Sequence, residues 1–229
     1  ILHSNSTAMT NIAPDTLQFL RDVKHNNNRE WFATQKHRYV EARENIGKWL
    51  GELIITMRQS DDRILANPPR GVGRIYRDIR FSPDKTPYRT YLGAMVFRAP
   101  EDRNCEFYIH FEPGNIFAGG GIYMPDPAQL KLIRDDIAYS TKELEKIVKN
   151  PDFKKYFGEV TGDKLQRAPK GFSPEHPAIE WLRFKQFLVL RSFNDRQVLQ
   201  KNFQEEVITT FLVARPFFDH IDRALNFKE

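Results

Sequence analysis

Hydrophobic positions along the chain follow a helical spacing first, then an alternating one, then a helical one again. Between 14 and 59 apolar residues recur every three or four positions: Leu17, Leu20 and Val23, then Trp31, Phe32, Tyr39, Ile46, Trp49, Leu50, Leu53 and Ile54. That period predicts two amphipathic helices. The first opens at Pro14 and Asp15, and the polar break "NNN" at 26–28 supplies an N-cap for a second, longer helix, with a bend or break near Gly47 or Gly51. Past residue 73 the period drops to two. Ile75, Arg77, Ile79 and Phe81 then point one way and Tyr76, Asp78 and Arg80 the other, a predicted strand over 74–81. "SPDKTP" has turn composition, and further strands follow at 90–98, 105–112 and 116–123. Connections this short favour antiparallel neighbours.

Helical spacing returns with "PDPAQLKLIRDDIAY", where Asp126 is an N-cap and Pro127 the first helical residue, and with "TKELEKIVKN" and "AIEWLRF". "QFLVLRSF" at 186–193 reads as a fifth strand, and two closing helices are separated at Pro216. The expectation is therefore an α+β fold: a single domain over 14–229, with an antiparallel meander of about five strands packed by helices from both chain ends. Residues 1–13 read as a flexible lead-in, with Met9 a candidate natural start.

Composition narrows the class. A chain of 229 residues with 40% apolar and 13% aromatic content is long and apolar enough to bury a core. Its longest apolar runs, "LIITM" and "GAMVF", are far too short to cross a bilayer, and the opening residues lack a signal-peptide pattern, so no membrane partner is expected. Cys105 is the only cysteine. One thiol makes neither an internal disulfide nor a zinc cage, so a reducing, cytoplasmic setting is expected. The net charge of +5 is uneven: residues 61–100 carry eight Lys/Arg against four Asp/Glu. A local excess of this kind attracts anionic partners.

Four stretches recur in order: "NNREWF" at 27–32, "RDIRFSPDKTPYRTY" at 77–91, "GGGIYMPDPAQLKLIR" at 119–134 and "APKGFSPEHP" at 168–177. Together they resemble the conserved hypothetical proteins of domain-of-unknown-function family 2461, over about 16–225. The resemblance implies an intracellular α+β domain without an assigned activity. It marks Arg77, Asp78, Arg80, Phe81, Ser82, Asp84, Lys85, Pro87 and Tyr88 as positions of interest and carries over no catalytic residue.

The residues themselves raise several candidates. On the predicted strand Arg77 faces inward between Ile75 and Ile79, and a buried guanidinium needs a carboxylate, carbonyls or an anionic ligand. An internal ion pair answers that need, and so does a bound anion. Arg80, Lys85 and Arg89, with Tyr88 and the loop residue His176, form a candidate ligand set for phosphate or carboxylate. The same charges, Asp78 and Asp84 included, also make a self-neutralising network. Along 105–112, Glu106, Tyr108, His110 and Glu112 share one face. His110 and Glu112, with Asp78, are candidate catalytic residues for acid/base or metal-assisted hydrolysis, although a wet sheet face carries such residues with no chemistry at all. No metal-binding motif is present and no cofactor is indicated. The glycines of "FAGGGIY" fit no nucleotide loop and read as a bulge or a close backbone approach. The two arginines of "PRGVGR" are further anion contacts. Basic residues interleaved with Tyr76, Tyr88 and Tyr91 leave nucleic acid as an alternative partner, and a purely structural or interaction module as another.

Overall fold

The computed structural model describes residues 10–66, 71–99 and 104–226. Residues 1–9 of the expected lead-in, Met9 included, lie outside the described residues, as do Arg70 of "PRGVGR" and most of the "APEDRN" loop. The rest of the lead-in is docked. Thr10 donates its amide and hydroxyl to Glu52, Ile12 is buried, and the Ala13 amide bonds the Asn45 side chain.

Among the described residues, eight helices and four strands make up an α+β fold. In order they are α1 (Pro14–His25), α2 (Arg29–Arg58), β1 (Leu92–Val96), β2 (Glu106–Phe111), β3 (Ile116–Ile122), α3 (Pro127–Tyr139), α4 (Lys142–Val148), α5 (Pro151–Phe157), α6 (Ile179–Leu182), β4 (Phe187–Phe193), α7 (Asp195–Val198) and α8 (Phe203–Asn226). The strands form one antiparallel meander in the order β1-β2-β3-β4. Its four members match four of the five expected strands. The fifth, 74–81, is absent: only the bridges Val72↔Ala94 and Tyr76↔Tyr88 form there. Pro83 and Pro87 lack amide donors, and aspartate side chains capture the amides of Arg80 and Thr86, so the ladder stops after two rungs.

Two of the expected helix breaks do not occur. The long α2 runs through Gly47 and Gly51, and α8 runs through Pro216. Pro216 is exposed while Phe211, Ala214, Phe217 and Phe218 on either side are buried, so apolar burial outweighs the one helical bond that proline removes.

Two compact units divide the chain. The first holds Ile1–Met95, His110–Ile116 and Phe193–Ile208, and the second Val96–Ile109, Phe117–Ser192 and Thr209–Glu229. In the first, α1 packs on α2, and Trp49 sits against Phe111 and Phe203 at 5.7 and 5.4 Å between ring centres. The second is cored by Phe107 against Phe211 and Phe218, at 4.7 and 4.9 Å. Gly120 in β3 explains the glycine run. A Cβ there would lie 1.9 Å from the Glu106 carbonyl oxygen, and its φ of +144° also disfavours any other residue.

Candidate functional site

The charged segment 77–91 is a two-rung hairpin with an irregular tip. Arg77 donates its amide to the Pro87 carbonyl and Arg89 donates its amide to Ile75. Asn27 fastens the outgoing arm. Its side chain donates to the Tyr88 carbonyl at 2.8 Å and accepts from the Tyr88 amide at 3.0 Å, as a neighbouring strand would. Tyr88 is buried, with its ring stacked 3.9 Å from that of Phe32. Burial pushes its phenol above the ordinary range. Two of the motif stretches, at 27–32 and 77–91, thus meet in one place.

At the tip the charges find each other. Arg77 does not point inward from a strand, as the alternation predicted, because the strand ends beside it. Its guanidinium instead binds Asp84 at 2.5 Å, the Thr86 carbonyl and hydroxyl, and the Ser82 hydroxyl at 3.4 Å. Arg80 grips Asp78 through two nitrogens, at 2.9 and 2.6 Å. Both carboxyls are held below the usual carboxylate range. Asp84 is lowered to about 2 by the Thr86 amide first and the Arg77 guanidinium next, and Asp78 is lowered chiefly by Arg80. Lys85 donates to the Ile79 carbonyl at 3.0 Å, and Arg89 lies over the Tyr91 ring at 5.6 Å. Phe81 stands 95% exposed.

The His110–Glu112 pair does form, with Nε2 to Oε2 at 3.4 Å. Glu112 also accepts from the Thr90 hydroxyl at 2.6 Å and the Asn115 amide at 2.9 Å, and these bonds hold its pKa down against the opposing effect of burial. Burial lowers the pKa of His110, with Glu112 working the other way. The result is a neutral imidazole oriented by a carboxylate, an arrangement able to accept a proton. Asp78 is committed to Arg80. His176 belongs to the second unit, where its Nδ1 accepts from the Ala178 amide at 3.0 Å and shapes the entry to α6. Among the described residues no group of three or more His, Cys, Asp or Glu side chains is placed to hold a metal.

Beside the tip lies an open hollow of about 610 Å³, lined by Asn27, Asn28, Arg29, Glu30, Ile79, Asp84, Lys85, Thr86 and Pro87. It sits at the first turn of α2. Asn28 caps that helix by accepting from the Trp31 amide, while the amides of Arg29 and Glu30 have no carbonyl within the helix to bond. Arg29 and Lys85 form no ion pair among the described residues.

A family model for a conserved hypothetical protein, DUF2461, matches residues 15–220. The chain belongs to this family. No curated protein and no solved structure matches it.

Of the residues lining the hollow, Lys85 stands among the candidates named from the sequence of this DUF2461 chain, whereas Arg29 and Asn27 do not. Both lie in the quoted 27–32 stretch, so the signal was present. What was missing was the long-range pairing that carries 27–30 to 79–87.

Proposed function

We propose that the chain binds a small phosphate- or carboxylate-bearing anion in the hollow between the start of α2 and the 79–87 segment. The observation that carries this reading is the pairing pattern. Asp84 on the wall is answered by Arg77, whereas Arg29 and Lys85 on the same wall pair with no carboxylate among the described residues. With Glu30 opposing, the lining keeps one positive charge, and the α2 terminus adds about half a charge more. Lys provides a point charge and Arg a bidentate fork for such a ligand. Arg80, Tyr88 and Arg89 drop to secondary roles, being engaged by Asp78, Phe32 and Tyr91. The same internal pairing weakens the nucleic-acid alternative, because residues 77–91 as a whole net only two positive charges. The lone buried Cys105 is in keeping with a cytoplasmic setting, and no described helix is long and apolar enough to cross a membrane.

The test is thermal denaturation with phosphate, nucleoside monophosphates and dicarboxylates. A ligand at about 100 times its Kd adds ~2.7 kcal/mol, which for a chain of this size raises the midpoint by several degrees. Arg29→Ala and Lys85→Ala should each abolish the rise. If no anion moves the wild-type midpoint, the proposal fails.

A second reading, acid/base chemistry at His110, is favoured by the 3.4 Å contact with Glu112. Hydrolysis of a nitrophenyl ester panel would support it only if Glu112→Gln lowers the rate and moves the pH profile. Equal rates in wild type and variant would remove it.

A further inference from the structure

We propose that the second unit carries a separate binding site for a planar aromatic monocarboxylate, seated on Trp181, backed by Phe184 and held by Lys164. The site is a hollow of about 580 Å³ where the ends of α4 and α5 face the segment 158–164. That volume falls in the range of small-molecule sites, which are mostly apolar with a few placed polar groups. Val148, Val160, Trp181 and Phe184 supply the apolar wall. The Trp181 and Phe184 rings lie 5.9 Å apart and are inclined by 34°; Trp181 is partly exposed, whereas Phe184 is buried against Phe187 and forms the back of the wall.

The position of the opposite wall is set by backbone pairing. Thr161 bridges to Leu188, Lys164 bridges to Phe184, and the Lys185 amide donates to the Asp163 carbonyl at 2.8 Å. Lys164 is therefore anchored at its backbone beside the aromatic wall. Its ammonium lies 4.5 Å from the Phe184 ring centre and 3.3 Å from a Glu180 oxygen.

Charge decides the class of ligand. Glu180 is shared by Lys164 and Arg183, whose nitrogen is 3.1 Å from it, so this group carries one surplus positive charge. Lys149 is matched by Glu145 at 2.7 Å. Lys154 adds a positive charge and Glu159 a negative one, and they cancel. The hollow thus retains about one positive charge, enough for a monocarboxylate and too little for a nucleotide. Lys149 and Lys154 also stand at helix C-termini, which favour cations with or without a ligand. Lys164 has no such reason to be there. Its contact with Glu180 is half-exposed and of the weak surface kind, so an incoming carboxylate can compete for the ammonium.

Tryptophan fluorescence tests the site, with benzoate and 4-hydroxybenzoate as probes and acetate and benzyl alcohol as controls. Saturable quenching by the aromatic carboxylates is expected, with each control at least about tenfold weaker. Lys164→Met keeps the stem of the side chain and should weaken binding about tenfold. Trp181→Phe keeps a ring, so calorimetry should still detect binding while the quench disappears. Arg29→Ala, in the first unit, should leave the titration unchanged. No saturable signal up to about 10 mM, a normal titration in Lys164→Met, or a quench that survives in Trp181→Phe would each overturn the proposal.

Discussion

Arg80 and Arg98 both end on aspartate at ordinary salt-bridge distances, and the two contacts do different work. Arg80 meets Asp78 at 2.6 Å with 76% and 61% of the two side chains exposed. Arg98 lies in the second unit with its side chain 0% exposed, bonded to Asp219 at 2.5 Å and Asp222 at 2.7 Å. In water the attraction between unit charges at this range is about 1 kcal/mol and is further screened by salt. In a buried cluster the desolvation of each ion is already fixed by the fold, so removing one partner strands the others. The exposed pair therefore shapes a loop, and the buried one holds a core together. Arg77 falls between the two.

The comparison is most directly broken by Arg98→Ala. Urea unfolding should show a loss of about 3–5 kcal/mol, because Asp222 is left buried without the guanidinium that offsets its charge. A loss near zero would mean that the cluster is dispensable. Acidification separates the regions in another way. Burial lowers the pKa of His110 and of His220, so both are neutral in the folded chain and take up protons more readily when unfolded. Their contribution is full above about pH 6.5 and is lost as pH falls below it. The tip carboxyls behave otherwise, since Asp84 stays ionised down to about pH 2. Stability should thus decline as pH falls below about 6.5, and His110→Gln or His220→Gln should flatten that slope whereas Asp84→Asn should not. Arg77→Ala is expected to cost about 1 kcal/mol, since its bonds are charge-assisted but partly exposed. Arg80→Ala and Phe81→Ala should leave the unfolding midpoint unchanged within error. A midpoint shift for Phe81→Ala comparable to that of Arg77→Ala would contradict its exposure.

The sequence was most readable where burial is periodic. The helical segments, the meander and its four strands follow from spacing, because one buried face per element imposes a period of 3.6 or 2, although the breaks expected within α2 and at Pro216 do not occur. It misled at 74–81, where alternation is present but prolines and aspartates compete for the backbone. The same rule was sound one strand later. Leu92, Ala94 and Val96 alternate along β1, Arg98 continues the period two residues past its end, and all four are buried. The inward guanidinium expected at Arg77 is not found there; a buried one stands instead at Arg98, answered by carboxylates more than a hundred residues away. Long-range pairings such as these, and that of Asn27 with Tyr88 across 61 residues, have no local signature. This is also why the candidate site came out as a list of residues and not as a hollow.

Cys105 turns the buried cluster into a gauge. Its amide donates to Asp222, its thiol is sealed from solvent, and burial pushes its pKa well up, so the reactive thiolate is scarce in the folded chain. A thiol reagent can label the chain only when this part of the core comes open. The labelling rate therefore counts those openings one molecule at a time, with no tag or probe added.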